Sequence, residues 1–162
     1  MGARCGDARW QAGGAGVSSP LVGEVFPNLW VGAKPPLGTY LRDHNTKVLV
    51  LCAMEFQPHE RSFPGVTVLR CPIDDATLTP GEVMLVKQTA KDVARHVKNG
   101  RHTLVTCQMG LNRSALVASL AMIHLGVKPV EAIARVRAKR GEYALCNKDF
   151  ERMVTRFRPG LR

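Results

Sequence analysis

The sequence predicts an α/β domain with a central, mostly parallel sheet covered by helices on both faces. Three observations lead there. Short apolar runs of strand length recur along the chain and are separated by stretches with helical period. One of those stretches opens with a complete helix-start signal. A second, running from Ala115 to Leu125, is apolar almost all round and so belongs in the middle of a layered domain. Strands alternating with helices of this length pack as a sheet between helical layers.

The elements follow in order. "VFPNLWVG" (25–32) is a short strand signal broken at Pro27, and "KVLVLC" (47–52) is a continuous apolar run. "VTVLRC" (66–71) is β-branched, and "HTLVTC" (102–107) is another short apolar run. Between the last two, Thr79 serves as N-cap, Pro80 takes the first helical position and Glu82 closes a capping box. Val83, Val86, Ala90, Val93 and Val97 then recur on one face until Gly100. Beyond Cys107 the period turns helical again, through Ala115, Leu116, Ala118, Leu120, Ile123 and Leu125, to a stop at Gly126. Pro129 opens a further helix with Val130, Ile133, Ala134 and Arg137 on one side. Asn147 caps a last one carrying Phe150, Val154 and Phe157.

With 162 residues and 45% hydrophobic content the chain suffices for one well-packed domain, expected over 21–158, with 159–162 as its C-terminal end. Residues 1–20 are dense in glycine, alanine and small polar residues and read as a disordered tail, because little apolar area offsets the backbone entropy. Met1-Gly2 invites a myristoylation reading, but Gly6 stands where that motif wants Ser or Thr. No stretch approaches a membrane span, and no secretory apolar core is present. The expected location is therefore the cytoplasm, with the nucleus as a second compartment, and a monomer is the default. Five cysteines, at 5, 52, 71, 107 and 146, show neither disulfide-framework nor zinc-ribbon spacing, so reduced thiols are expected.

"VTCQMGLNRSALVA" (105–118) places Cys107 where a central strand ends and a helix begins. Backbone N–H groups of such a turn lack intrahelical partners and converge on a small concavity that attracts an anion. The same field favours a thiolate over a thiol, which makes a nucleophile. The loop Gln108, Met109, Gly110, Leu111 and Asn112 supplies the cradle, with Gly110 giving freedom where a Cβ clashes. Arg113 offers a planar fork to two phosphate oxygens. Ser114 is placed to donate a hydrogen bond toward the sulfur. A lone cysteine at a strand end is usually a small hydrophobe and a lone arginine at a helix start is usually solvated. Together, between strand and apolar helix, they form a C-x5-R-S phosphate loop.

On these residues the chain resembles the cysteine-dependent protein tyrosine phosphatase superfamily, and most closely the small, atypical dual-specificity phosphatases. The resemblance covers roughly 25–158 and includes "VFPNLWVG", "VLVLC", "CPIDDATLTP", "VTCQMGLNRSALVASLAMIHLGVKPVEAI" and "LCNKDFERMV". It implies a dual-specificity-phosphatase-like fold and a two-step reaction through a Cys107 phosphoryl intermediate, with no metal and no cofactor. The leaving group needs an acid, and Asp74 and Asp75 lie on the loop after the third run. The family's acid sits some thirty residues before the cysteine at the end of an Ile-x-Asp pattern. That points to Asp75, 32 residues upstream, rather than Asp74. In one departure, Thr106 replaces the histidine that usually precedes the cysteine and helps fix the loop. Its hydroxyl is a candidate for one of the hydrogen bonds that histidine makes.

His44, His59, His96, His102 and His124 share no ligand spacing, and none is expected to be catalytic or metal-binding. Cys52 and Cys71 end neighbouring strand signals near Cys107 and are expected to be inert buried thiols, with a protective disulfide as the alternative. The net charge is +10, and residues 135–162 hold nine basic side chains against three acidic ones, a field that attracts anionic ligands. Three classes of function compete. The preferred one is a phosphatase for phosphotyrosine and phosphoserine/phosphothreonine in proteins. The second is a relative acting on RNA 5′-triphosphate ends or phosphoinositides, which makes nucleic acid a possible but less favoured partner. "QMGLN" lacks extra basic residues for a polyanionic lipid head group, and no aromatic-and-basic RNA-binding module is present. The third is a phosphate-binding protein without turnover. Within the first class, the small-domain resemblance and the absence of a long insertion imply a shallow site, with Met109 and Leu111 as candidates for its floor or rim and Tyr143 for a wall, a core role being the equal alternative for each.

Overall fold

The computed structural model describes residues 22–160, so the expected 1–20 tail and its acylation signal lie outside the described residues. The elements are β1 (Val22–Phe26), β2 (Leu29–Gly32), α1 (Tyr40–Asp43), β3 (Val48–Ala53), a 3-10 turn (Glu60–Ser62), β4 (Thr67–Ile73), α2 (Pro80–Lys98), β5 (Thr103–Thr106), α3 (Arg113–His124), α4 (Pro129–Arg140) and α5 (Lys148–Arg156). The sheet order is β1-β2-β5-β3-β4. Only β1 and β2 pair antiparallel; β2/β5, β5/β3 and β3/β4 are parallel. The run broken at Pro27 is thus a hairpin rather than one strand. Proline cannot donate to a ladder, and Asn28 turns the chain with φ 67°, a left-handed conformation that asparagine tolerates.

Alternation along the strands separates two cores. Val50, Cys52, Val105 and Cys107 face the larger one, which α2, α3, α4 and α5 cover. Leu49, Leu51 and Leu104 face a smaller one closed by Leu41 of α1 and by Phe63. Both faces are covered, but unequally. The connections available to the second face are short and carry Pro35, Pro36, Pro58 and Pro64, which leaves room for one helical turn and a 3-10 turn only. Helix α3 is the central element: every residue from Arg113 to Ile123 is buried. Gly126, with φ 95°, ends the segment as expected.

Three neighbouring parallel strands, β5, β3 and β4, end at one edge of the sheet. Cys107 follows the first, Glu55 lies just past the second and Asp75 just past the third. Open α/β sheets bind ligands outside these carboxyl ends.

The long helix α2 starts with a complete capping box: the Glu82 N–H donates to Thr79 Oγ1 at 3.3 Å, and the Thr79 N–H donates to Glu82 Oε2 at 2.8 Å. Thr79→Ala should lower unfolding free energy by about 1 kcal/mol in a denaturant titration, the usual worth of an N-cap, with an unchanged slope.

Candidate active site

The phosphate loop is built by turning its carbonyls outward. Gln108 O accepts from Lys34 N at 3.3 Å, and Leu111 O accepts from Leu145 N at 2.8 Å. Arg140 of α4 takes the two between, its Nη2 donating to Met109 O at 3.2 Å and its Nε to Gly110 O at 3.1 Å. In a planar trans peptide the following N–H points opposite its carbonyl. The N–H groups of Met109, Gly110, Leu111 and Asn112 are therefore directed to the inner side of the loop. The Gly110 N–H reaches Cys107 Sγ at 3.2 Å. Gly110 is required here twice over. Its φ is +68°, and a Cβ would stand 2.5 Å from the Gly32 carbonyl carbon.

Cys107 is 4% exposed, and its Sγ lies 3.2 Å from Ser114 Oγ. Arg113 begins α3 and is buried at 6% exposure. Its Nη1 and Nη2 grip the Glu55 carboxylate at 2.6 and 2.7 Å, and Nη1 also donates to Ile73 O at 3.2 Å. A guanidinium has five N–H donors. Those three contacts leave Nε–H and the second Nη2–H, adjacent donors on one side of the plane, as a fork for two oxygens of an anion. Burial works against the charge on Arg113, but its hydrogen bonds to Glu55 and its electrostatic attraction to Cys107 outweigh that and hold the guanidinium more firmly protonated. In return the Arg113 hydrogen bonds pull the Glu55 carboxyl below its ordinary range.

Asp75 sits on the exposed loop after β4, yet both its oxygens are engaged. Asn112 Nδ2 donates to Oδ2 at 2.9 Å and Asn147 Nδ2 to Oδ1 at 2.8 Å. Asp74 instead turns back and accepts its neighbour's backbone N–H at 2.8 Å. The Asn112 side chain also receives the Asn147 N–H on Oδ1 at 3.1 Å and donates to Cys146 Sγ at 3.4 Å. It therefore makes no cap bond to α3, and its part in the loop is carried by its backbone. Thr106, the unusual residue before the cysteine, donates its hydroxyl to Val50 O at 2.9 Å. That bond ties β5 to β3 and does not reach the loop.

Cys107, Gly110, Arg113, Ser114 and Asp75 are thus gathered at one sheet edge. Gln108 and Met109 lie exposed on the loop, Leu111 is half-buried and Tyr143 is exposed. Cys52 and Cys71 are buried free thiols in the same core as Cys107, and burial pushes the Cys52 thiol well up. Sequence reading missed Glu55, Arg140 and Asn147. A buried Arg113 calls for a counter-charge, but which carboxylate supplies it depends on strand order. Arg140 is masked by the basic run around it. Among the described residues, no three His, Cys, Asp or Glu side chains come together as a metal site, and no helix is long and apolar enough to cross a membrane.

No family model matches the chain. Human protein tyrosine phosphatase type IVA 3 is 30% identical over 113 residues, which is 64% of this chain and 62% of that protein. The mouse protein of the same name is 29% identical over 108 residues. The chain thus spans a little under two thirds of the length of these curated relatives. Human DUSP28 superposes with a TM-score of 0.67 at 22% identity, over 84% of this chain and 93% of that one. The Orf virus tyrosine phosphatase OH1 does so with a TM-score of 0.64 at 21% identity, over 82% and 83%. A cysteine and an arginine flanking a loop of inward N–H groups at the carboxyl edge of a mixed sheet make a site complementary to an anion. The chain is thus similar in sequence to the type IVA protein tyrosine phosphatases over part of its length, and it shares the fold of solved dual-specificity and tyrosine phosphatases.

Glu55→Gln should destabilise the fold at neutral pH by about 1 kcal/mol, a modest value because Glu55 is half exposed. A carboxyl held low contributes stability above the ordinary carboxylate value of about 4.3 and loses it as pH falls through the folded value. The gap between wild type and E55Q in urea melts should therefore close with acidification below that point. A gap that persists at low pH would mean that Glu55 acts other than as a charge partner.

Proposed function

We propose that the protein hydrolyses phosphate monoesters on phosphotyrosine and on phosphoserine or phosphothreonine in proteins, through a cysteinyl-phosphate intermediate. The observation that carries this reading is the Cys107 sulfur held by the Gly110 N–H at 3.2 Å, within a loop whose carbonyls are all turned outward and which leads into the buried Arg113. Such a cradle holds the non-bridging oxygens of a phosphoryl group with its phosphorus in front of the sulfur.

In the first step the Cys107 thiolate forms a bond to phosphorus as the bond to the leaving oxygen breaks. Asp75 delivers its proton to that oxygen, releasing one of its two amide contacts to do so. In the second, Asp75 takes a proton from water, the water oxygen bonds to phosphorus and the P–S bond breaks. The Ser114 hydroxyl, 3.2 Å away, donates to the departing thiolate. Free phosphate and the starting enzyme result. Arg113 serves both steps, because charge on the transferring group peaks at the equatorial oxygens its fork addresses. The exposure of Met109 and Tyr143 at 55% and 63%, with no insertion deepening the site, supports a shallow entrance that admits alkyl as well as aryl phosphates.

The test is hydrolysis of an aryl phosphate beside phosphotyrosine, phosphoserine and phosphothreonine peptides, triphosphorylated RNA and phosphoinositides. Turnover of the phosphopeptides, abolished in Cys107→Ser with the fold intact, is expected. Turnover confined to RNA or lipid would overturn the substrate class, and hydrolysis surviving in C107S would overturn the mechanism.

Asp75→Asn should cost ~10²–10⁴ in rate with an alkyl leaving group and much less with an activated phenol, which leaves without a proton. Asp74→Asn should show a smaller penalty independent of the leaving group. If the steep dependence follows Asp74 instead, the assignment of the acid is off by one residue.

Ser114→Ala should slow breakdown of the intermediate more than its formation. Rapid-quench kinetics would then show a burst of released alcohol before the steady state; equal slowing of both steps would remove Ser114 from this role.

A further inference from the structure

Beside the acid loop lies a groove of about 790 Å³ between α2 and α5, distinct from the phosphate loop. Its two walls are helical stripes. Met84, Lys87, Gln88 and Lys91 recur at the spacing of one face of α2, and Asp149, Arg152, Met153 and Arg156 at that of one face of α5. The floor between them is apolar, with Phe150 buried beneath and Phe157 half-buried, its ring meeting His124 edge-on at 5.2 Å. Met84 is 72% exposed on the rim.

The charge of this groove is one-sided. Five of its lining residues, Lys87, Lys91, Arg152, Arg156 and Arg158, are cationic, against the single carboxylate of Asp149. Asp149 is already neutralised: Thr77 Oγ1 donates to it at 2.6 Å and Arg152 pairs with it at 3.1 Å. Lys87, Lys91 and Arg156 are exposed and form no ion pair among the described residues. Burial, with the Lys91 ammonium next, pushes the His124 imidazole below its ordinary value, which favours its neutral, apolar-compatible form in the floor. An apolar trough between unpaired cations complements a chain that carries carboxylates on either side of an apolar side chain. A lipid surface is a poorer match, because Leu78, Val83, Phe150, Met153 and Phe157 are buried or half-buried and Met84 is the one large apolar side chain that projects from the rim.

We infer that this groove is a docking site for an acidic segment, with an apolar anchor, of the phosphoprotein substrate. The inference rests on the phosphoprotein reading above and adds the substrate's recognition element to it. Thr77, two residues beyond Asp75, lines the groove, so a docked segment lies next to the Asp75 loop. Its walls run about 10 Å, seven residues of helix at 1.5 Å each, which spans roughly three extended residues. The recognised element is accordingly short and lies only a few residues from the phosphorylated side chain.

The experiment uses the full chain and three probes. A fluorescent, unphosphorylated peptide bearing Asp and Glu around a leucine is followed by anisotropy, which reports docking without catalysis. Phosphopeptides with and without that acidic extension are compared by kcat/KM, and an aryl phosphate reports the chemistry alone. Wild type is expected to bind the unphosphorylated peptide and to prefer the extended phosphopeptide about tenfold. The double variant K91E/R156E should lose both, as should wild type at high salt, with aryl phosphate hydrolysis unchanged. No preference in wild type, or a preference that survives in K91E/R156E, overturns the inference. So does loss of binding to phosphatidylserine vesicles in the variant while peptide binding persists, which would assign the groove to membranes. Failure of aryl phosphate hydrolysis in wild type would instead overturn the phosphatase reading, and the anisotropy arm would still decide the docking site.

Discussion

The structure depends on a helix that begins badly. Helix α3 has no acidic residue in its first turn and no side-chain cap, and its first residue is a buried cation, Arg113, at the positive end of the helix dipole. Each of these is unfavourable alone, and together they leave a focus of positive potential at the edge of the sheet. Glu55 answers part of it with a bidentate ion pair, but its carboxylate is half exposed and occupies only one side of the guanidinium. The Cys107 sulfur, receiving the Gly110 N–H, occupies the centre. The apolar body of α3, buried through eleven successive residues, holds that unfavourable end in place.

Asp75 is positioned from a distance in sequence. Asp75 and Thr77 follow β4, but their side-chain partners, Asn147 and Asp149, open α5 seventy-two residues later. Asn147 does double duty. Its Oδ1 accepts the N–H groups of Asp149 and Phe150 as an N-cap, and its Nδ2 holds Asp75. Phe150 and Val154 anchor α5 in the main core, so the carboxylate is referred to the same packed body that carries the phosphate loop. Asn112 links the two directly, bonding Asp75 on one side and the Asn147 backbone on the other.

What was legible in the sequence is what local chemistry specifies. The capping box at Thr79, the proline starts of α2 and α4, the Asn147 cap and the all-round apolar helix each depend on neighbouring residues, and each was readable. So was the phosphate loop, because its cysteine, glycine, arginine and serine are contiguous. The hairpin at Pro27–Asn28 was read as a single interrupted strand, since nothing in its composition tells that β1 folds back on β2. Glu55, Arg140 and Asn147 were not legible as site residues. Their roles follow from strand order and helix placement, which join residues 58, 30 and 72 positions from their partners.

The substitution before the cysteine is explained by the same geometry. In the family this chain resembles, a histidine at that position helps to fix the loop, and here Thr106 gives its hydroxyl to Val50 on the neighbouring strand. The loop needs outward partners for its carbonyls, and it has them without position 106. Arg140 supplies two from the end of α4, and the backbones of Lys34 and Leu145 supply the others. The Arg140 contact on Met109 O has a further effect. It polarises the peptide unit whose N–H, on Gly110, points at the sulfur, so a cation on α4 strengthens the donor to that sulfur across a single amide plane. Support that a histidine would bring from the strand side thus arrives here from the helix side, and Thr106 is left to hold the sheet together.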